Sequence, residues 1–204
     1  DHRHTNTESD SEVLLNVLAH ELARATSGGA LRTTDVFPAV RAVHQRVKGS
    51  YAVVALIAGH GLLAFRDPNG IRPLCWGRGA DGTVMVASET VALEGSGQTP
   101  ERDVAPGEAI YVTLDGTVHA RQCAPRTQLS PCIFEYVYLA RPDSVLDGIS
   151  VYQARLNLGK TLAQRVVSVV PPNEIDVVIP IPESSRPSAT ELATLRDLQA
   201  RTAA

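Results

Sequence analysis

Cysteine is scarce in this chain of 204 residues: there are three, Cys75, Cys123 and Cys132, and no two form a Cys-x-x-Cys pair. They cannot all pair with one another, so a disulfide framework is not expected, and reduced thiols of a cytoplasmic protein are. A basic surplus is also missing. Nineteen Lys and Arg stand against 22 Asp and Glu, a formal charge of -3, which argues against nucleic acid or an anionic membrane as a partner. No apolar run reaches the roughly 20 residues that span a bilayer, and the charged, His-containing start has no signal-peptide core. His2 and His4 alternate beside Asp1, but no third ligand follows at a usable spacing, so a solvated terminus is the reading rather than a metal site. What is present, 44% hydrophobic residues, suffices for the core of one large or two small domains.

The chain changes texture twice. In SDSEVLLNVLAHELARA, Ser9 and Glu12 have capping-box spacing, and Val13, Leu14, Val17, Leu18 and Leu22 share one helical face. Asp10 then sits in the first turn. A second helix is expected from Asp35, with Val36, Val40, Val43 and Val47 at helical spacing and Pro38 in the first turn. From Ser50 two apolar runs hinge at Gly59-His60-Gly61, and a Pro68-Asn69-Gly70 turn follows, the pattern of a β-hairpin and a further strand. TVMVASE, EAIYVT and TVHARQ read as strands, the last two joined at Asp115-Gly116. Helices followed by an antiparallel sheet make a layered α+β domain over residues 1–121.

Near Arg121 a polar, Pro-containing stretch suggests a linker, and residues 122–204 are read as a second, α/β domain. There a long helix places Val151, Ala154, Leu158, Leu162, Val166 and Val169 on one stripe and ends at Pro171-Pro172. Val177, Val178 and Ile179 form an unalternating run, as in a parallel strand covered on both faces. The tail TLRDLQARTAA reads as helix.

Six strings, NTESDSE, AFRDPNGIRPL, MVASE, RDVAPGEAIYV, FEYVYLARPDS and VVIPIPESS, occur in that order over almost the whole chain. Together they closely resemble the amidophosphoribosyltransferase family. RDPNGIRPL and VASE are similar to features of N-terminal-nucleophile glutamine amidotransferases generally, whereas FEYVYLARPDS joined to VVIPIPESS points to the phosphoribosyltransferase member. The resemblance implies part of an αββα N-terminal-nucleophile glutaminase sandwich, then the first βα segment of a phosphoribosyltransferase α/β fold. It further implies a first step of purine synthesis: ammonia released from glutamine displaces pyrophosphate from phosphoribosylpyrophosphate, with Mg²⁺ as cofactor, in an enzyme that is a homo-oligomer.

By the same resemblance, Asp10 holds the α-amino group of glutamine, and Glu183, Ser184 and Ser185 form the pyrophosphate loop, with Ser184 beside Mg²⁺. Cys132 matches one ligand of an iron-sulfur cluster in part of the family, and is read as a structural thiol because one thiolate cannot hold a cluster that needs four. Arg66 and Asp67 are read as turn-stabilising and His60 as exposed. The family's cysteine nucleophile would precede residue 1 and its double-aspartate loop would follow Ala204, so the expectation is an internal fragment with no catalytic residue of its own and no activity in isolation. Rivals are another glutamine amidotransferase, such as an asparagine or glucosamine-phosphate synthase, and a non-catalytic glutaminase-like binding module.

Overall fold

The computed structural model describes residues 6–26, 28–181, 183–195 and 199–200. The expectation for Asp1, His2 and His4 lies outside them, as does most of the tail. The chain divides into two compact units, Asp1–Ser88 with Ala92–Pro131, and Glu89–Val91 with Cys132–Ala204.

In the first unit, α1 (Asp10–Thr26) and α2 (Thr33–Arg46) precede β1 (Ala52–Ile57), β2 (Gly61–Arg66), β3 (Cys75–Arg78) and β4 (Val84–Ala87). After α3 (Thr90–Gly95), which straddles the division, come β5 (Thr99–Asp103), β6 (Glu108–Thr113) and β7 (Val118–Gln122). One antiparallel sheet has the order β1-β2-β6-β7 and the other β4-β3-β5. The period of two along each strand builds the layers. Leu63, Phe65, Ala109 and Tyr111 face Leu18, Val36, Val40 and Val43 of the helices. Their neighbours Ala64, Ile110 and Val112 turn the other way, onto Trp76, Leu74 and Val104 of the second sheet. Each fully buried large side chain here contributes about 1.5–3 kcal/mol, so the four-stranded sheet, apolar on both faces, anchors the unit.

Several local readings change. Glu12 does not close a box with Ser9: its carboxylate accepts the N–H groups of Asn6 and Thr7 at 2.7 and 2.8 Å, and Val13 stays exposed. Helix α2 starts at Thr33, ahead of the expected Asp35, because the Asp35 carboxylate accepts the Arg32 N–H at 3.0 Å and its guanidinium at 3.0–3.1 Å. Pro38 therefore falls in the second turn. Strand β5 was not expected, since TPERD carries no apolar alternation. It pairs β3 at a sheet edge, where polar side chains and a proline are tolerated. The polar stretch after Gln122 stays with the first unit to Pro131. Its Gln128 and Ser130 N–H groups donate to the carbonyls of Pro68 and Asn69.

The second unit opens with a π-helical turn, Glu135–Leu139, and a small hairpin of β8 (Val145–Leu146) and β9 (Ile149–Ser150). Ser150 then caps α4 (Val151–Val167) by accepting the Gln153 N–H. The buried line of α4 is Val151, Arg155, Gly159 and Ala163. The expected stripe is instead largely outward, with Leu158, Leu162 and Val169 exposed. Strand β10 (Val177–Val178) is half-buried and leaves Ile179 exposed. It pairs in parallel with β11 (Gln199–Ala200), and α5 (Arg186–Thr194) lies between them in sequence.

One histidine packs against the core of the first unit. His44 of α2 stacks on Tyr51, with ring centroids 5.9 Å apart, and its Nδ1 lies 2.8 Å from the Tyr51 hydroxyl. Burial lowers the imidazole pKa below its usual value, against the opposing pull of the Gly107 carbonyl and the Asp67 charge. Burial also pushes the Tyr51 phenol well up, so the pair is neutral at pH 7. A depressed folded-state pKa contributes stability above the unfolded value, about 6.5, and loses it as pH falls through the folded value. The urea midpoint of the native chain should therefore decline below pH 6.5, and His44→Gln should flatten that decline. Equal slopes for the two proteins would exclude His44 as its source.

Candidate functional site

The string RDPNG forms the best-satisfied turn of the first unit. Arg66 is 1% exposed and donates Nε to the Arg72 carbonyl at 2.7 Å, Nη1 to Val104 at 3.0 Å and Nη2 to Gly70 at 2.8 Å. Asp67 has no exposed surface, and its carboxylate accepts the N–H groups of Asn69 and Ile71 at 2.8 and 3.0 Å. Gly70, at φ +57°, turns the chain back where an added Cβ would strike Pro106. Both charges are thus spent on backbone, which is the geometry of a turn anchor. His60 at the hairpin tip is exposed.

Asp10 is the first residue of α1 and its side chain is exposed. Glu12 folds back over the preceding turn, where the Thr7 hydroxyl and the Asn6 N–H lower its carboxyl pKa. The turn that presents Asp10 is therefore fixed by Glu12 and leaves Asp10 facing solvent.

Glu183, Ser184 and Ser185 lie together in the second unit, between β10 and α5. Glu183 is exposed and pairs with Arg186 at 2.8 Å, while Ser184 and Ser185 are half-buried. Ser185 is the N-cap of α5, its hydroxyl donating back to the Ile181 carbonyl, and Pro187 stands in the first turn. Ser188 and Glu191 also have capping-box spacing, which the sequence offers as an alternative to Pro187 for opening this helix, but they do not form the box. The Ser188 hydroxyl donates to the Arg155 carbonyl at 2.7 Å, and Glu191 lies 3.9 Å from Lys160. For a cation the loop offers little. Among the described residues no group of three His, Cys, Asp or Glu could hold a metal ion, so Ser184 and Glu183 do not by themselves fit a Mg²⁺ site. Cys132 is a free, half-buried thiol.

A second cluster of the same unit had no role in the sequence reading. The Glu89 carboxylate accepts the Arg141 N–H at 2.8 Å and the Ser144 hydroxyl at 2.7 Å, and the Thr90 hydroxyl accepts the Val145 N–H at 3.0 Å. Arg155, 3% exposed, donates to the carbonyls of Tyr136 and Ala140 at 2.8 and 2.7 Å. Desolvation lowers the Arg155 pKa and the Glu89 charge supports it. VASE and ARPDS, two of the strings quoted above, are therefore partners in space. The available signal was their joint presence, which carries no distance.

A model of the glutamine amidotransferase domain matches residues 1–95. The amidophosphoribosyltransferase of Pseudomonas aeruginosa is 57% identical over 198 residues, which are 95% of this chain and 39% of that protein. That of Escherichia coli is 51% identical over 197 residues, again 95% of this chain and 39% of the relative. Over nearly its whole length the chain is similar to amidophosphoribosyltransferases. Among solved structures, the glutamine phosphoribosylpyrophosphate amidotransferase of Bacillus subtilis, complexed with ADP and GMP, superposes with a TM-score of 0.81 at 34% identity. The match covers 98% of this chain and 40% of that one. This α+β fold is thus that of an amidophosphoribosyltransferase, and the chain spans about two fifths of the length of such relatives.

Removing the Glu89 carboxylate would leave the Arg141 N–H, the fully buried Ser144 hydroxyl and the Arg155 charge without it. Glu89→Ala should cost about 1–3 kcal/mol, read by urea unfolding, and should speed amide exchange at Arg141 and Val145. An unchanged midpoint and unchanged exchange would remove Glu89 as the anchor of that loop.

Proposed function

We propose that this chain forms part of an amidophosphoribosyltransferase that transfers the amide nitrogen of glutamine to phosphoribosylpyrophosphate, giving phosphoribosylamine, glutamate and pyrophosphate. The observation that carries the reading is the continuity of the match: near-complete coverage at 57% identity spans both units. A glutamine amidotransferase module alone would account only for residues 1–95.

In this reading Asp10 pairs with the ammonium of glutamine, supported by its exposure on the first turn of α1, where a carboxylate also faces the positive helix end. Glu183, Ser184 and Ser185 form the pyrophosphate loop, supported by their place between a parallel strand and a helix start, where backbone N–H groups favour an anion. Ser184 is the residue of this loop that would stand beside Mg²⁺, which would supply charge neutralisation of the phosphates. A cytoplasmic setting accompanies this role, supported by three cysteines of which none is in a disulfide. Homo-oligomer assembly of the whole protein is part of the same reading, and exposed Val54 and Leu56 on β1 are apolar surface available to it.

The test uses the full-length protein with each substitution, assayed with glutamine and, separately, with an ammonium salt. Asp10→Ala should lose most glutamine-dependent synthesis, about 10- to 100-fold for a charged hydrogen bond worth roughly 1.5–3 kcal/mol, and keep ammonia-dependent synthesis. Ser184→Ala should weaken use of phosphoribosylpyrophosphate in both assays while sparing glutamate release. Equal loss of both syntheses in the Asp10 variant would sink the two-site assignment. Absence of either activity from the unsubstituted protein would favour the binding-module alternative.

A further inference from the structure

Helices α4 and α5 meet at one notch. An added Cβ on Gly159 would lie 2.5 Å from the Ser188 carbonyl oxygen and 2.9 Å from the Ser188 Cα, so only glycine lets α5 sit this close. At that crossing the Ser188 hydroxyl reaches the Arg155 carbonyl at 2.7 Å, an acceptor inside the body of α4. The same Arg155 is fixed from the other direction, because its guanidinium holds the carbonyls of Tyr136 and Ala140. Ser188 stands three residues after Ser185, the N-cap of α5. The bond therefore fastens the helix turn that immediately follows residues 183–185.

We propose that Ser188, seated in the Gly159 notch and bonded to the Arg155 carbonyl, is a positioning residue that sets the 183–185 loop for a pyrophosphate group. The inference rests on the proposed function of that loop. The contacts of this three-residue loop are local, Glu183 with Arg186 and the Ser185 hydroxyl with the Ile181 carbonyl, and they tie it to the start of α5. Its geometry is inherited from the helix it enters, and α5 is located by the notch. Ser188 need not touch the anion. Its effect is exerted through the direction in which the first turn of α5 presents its backbone N–H groups.

The experiment is amide hydrogen exchange on the protein, with and without inorganic pyrophosphate, for the native chain, Ser188→Ala and Gly159→Ala. Pyrophosphate should slow exchange at residues 183–188 of the native chain. Ser188→Ala should speed exchange there by about tenfold, the equilibrium factor of one hydrogen bond, and should raise the pyrophosphate concentration needed for protection by a similar factor. Gly159→Ala, which forces the helices apart, should do both more strongly while leaving the Trp76 fluorescence transition of the first unit unchanged. Faster exchange in Ser188→Ala with unaltered pyrophosphate protection would make Ser188 merely structural and overturn the proposal. Unchanged exchange in that variant would overturn it as well. No protection of the native loop by pyrophosphate would sink the assignment of the loop itself, and the positioning role with it.

Discussion

A guanidinium taken out of water must hand its N–H groups to acceptors, because it has five donors and cannot shed its charge. Each unit of this chain is organised around one that does so with backbone carbonyls. Arg66 gathers the carbonyls of Gly70 and Arg72 in the turn after β2 and of Val104 in the segment after β5, and so fixes where β2 ends, where the turn goes and where the chain enters β6. Arg155 does the same for Tyr136 and Ala140 in the second unit. Such anchors are costly to form and costlier to leave half-made. They specify loops that apolar packing alone would leave free to move.

That constraint explains where the sequence was misleading. The expected apolar stripe, Val151, Ala154, Leu158, Leu162, Val166 and Val169, is fully buried only at Val151, and α4 continues its buried line through Arg155, Gly159 and Ala163. Hydrophobic periodicity assumes that the buried face is the greasy one. Here the buried face is chosen by a guanidinium that finds carbonyls and by a glycine that admits a neighbouring helix, and neither registers as hydrophobic. Ala154 and Leu158 of that stripe line an apolar groove of about 300 Å³ with Ile133, Tyr136 and Ile149. In the first unit periodicity worked, because β2 and β6 are covered on both faces by apolar layers and the period of two is what decides their register. It failed at β5, an edge strand whose place depends on pairing with β3 and not on its own composition.

The site was legible to a different degree. Helix starts at Asp10 and after Ser185 follow from local chemistry, so the positions of Asp10 and of the 183–185 loop relative to their helices could be read from order along the chain. Their roles came only from the resemblance, since an aspartate in a first turn and a Pro-Glu-Ser-Ser loop are each common. The Ser9–Glu12 capping box was misassigned, and of the two openings the sequence allows for α5, Pro187 in the first turn is the one found and the Ser188–Glu191 box is not. Glu12 prefers two N–H groups upstream to one at Ser9, and Ser188 prefers a carbonyl 33 residues away to the nearby Glu191 arrangement. The Glu89 cluster was out of reach altogether, because its bonds join residues 52 and 55 apart and no local pattern encodes that distance.

A division of labour among the polar residues follows from these geometries. The buried charges Arg66, Asp67 and Arg155 spend hydrogen bonds on the backbone, whereas the buried carboxylates of Glu21, Asp35 and Glu108 pair with arginine side chains. Groups left with capacity, Asp10, Ser184 and Ser185, stand at the beginnings of helices, where one side of the residue is held by the element and the other faces solvent. A ligand recognised at such places gains its affinity from groups whose positions were already fixed during folding, at little further cost in ordering. The anchors therefore serve the site indirectly. Because Arg66, Asp67 and Arg155 are satisfied internally, the helix starts have a rigid body to be fixed to, and the exposed polar groups can be few and short.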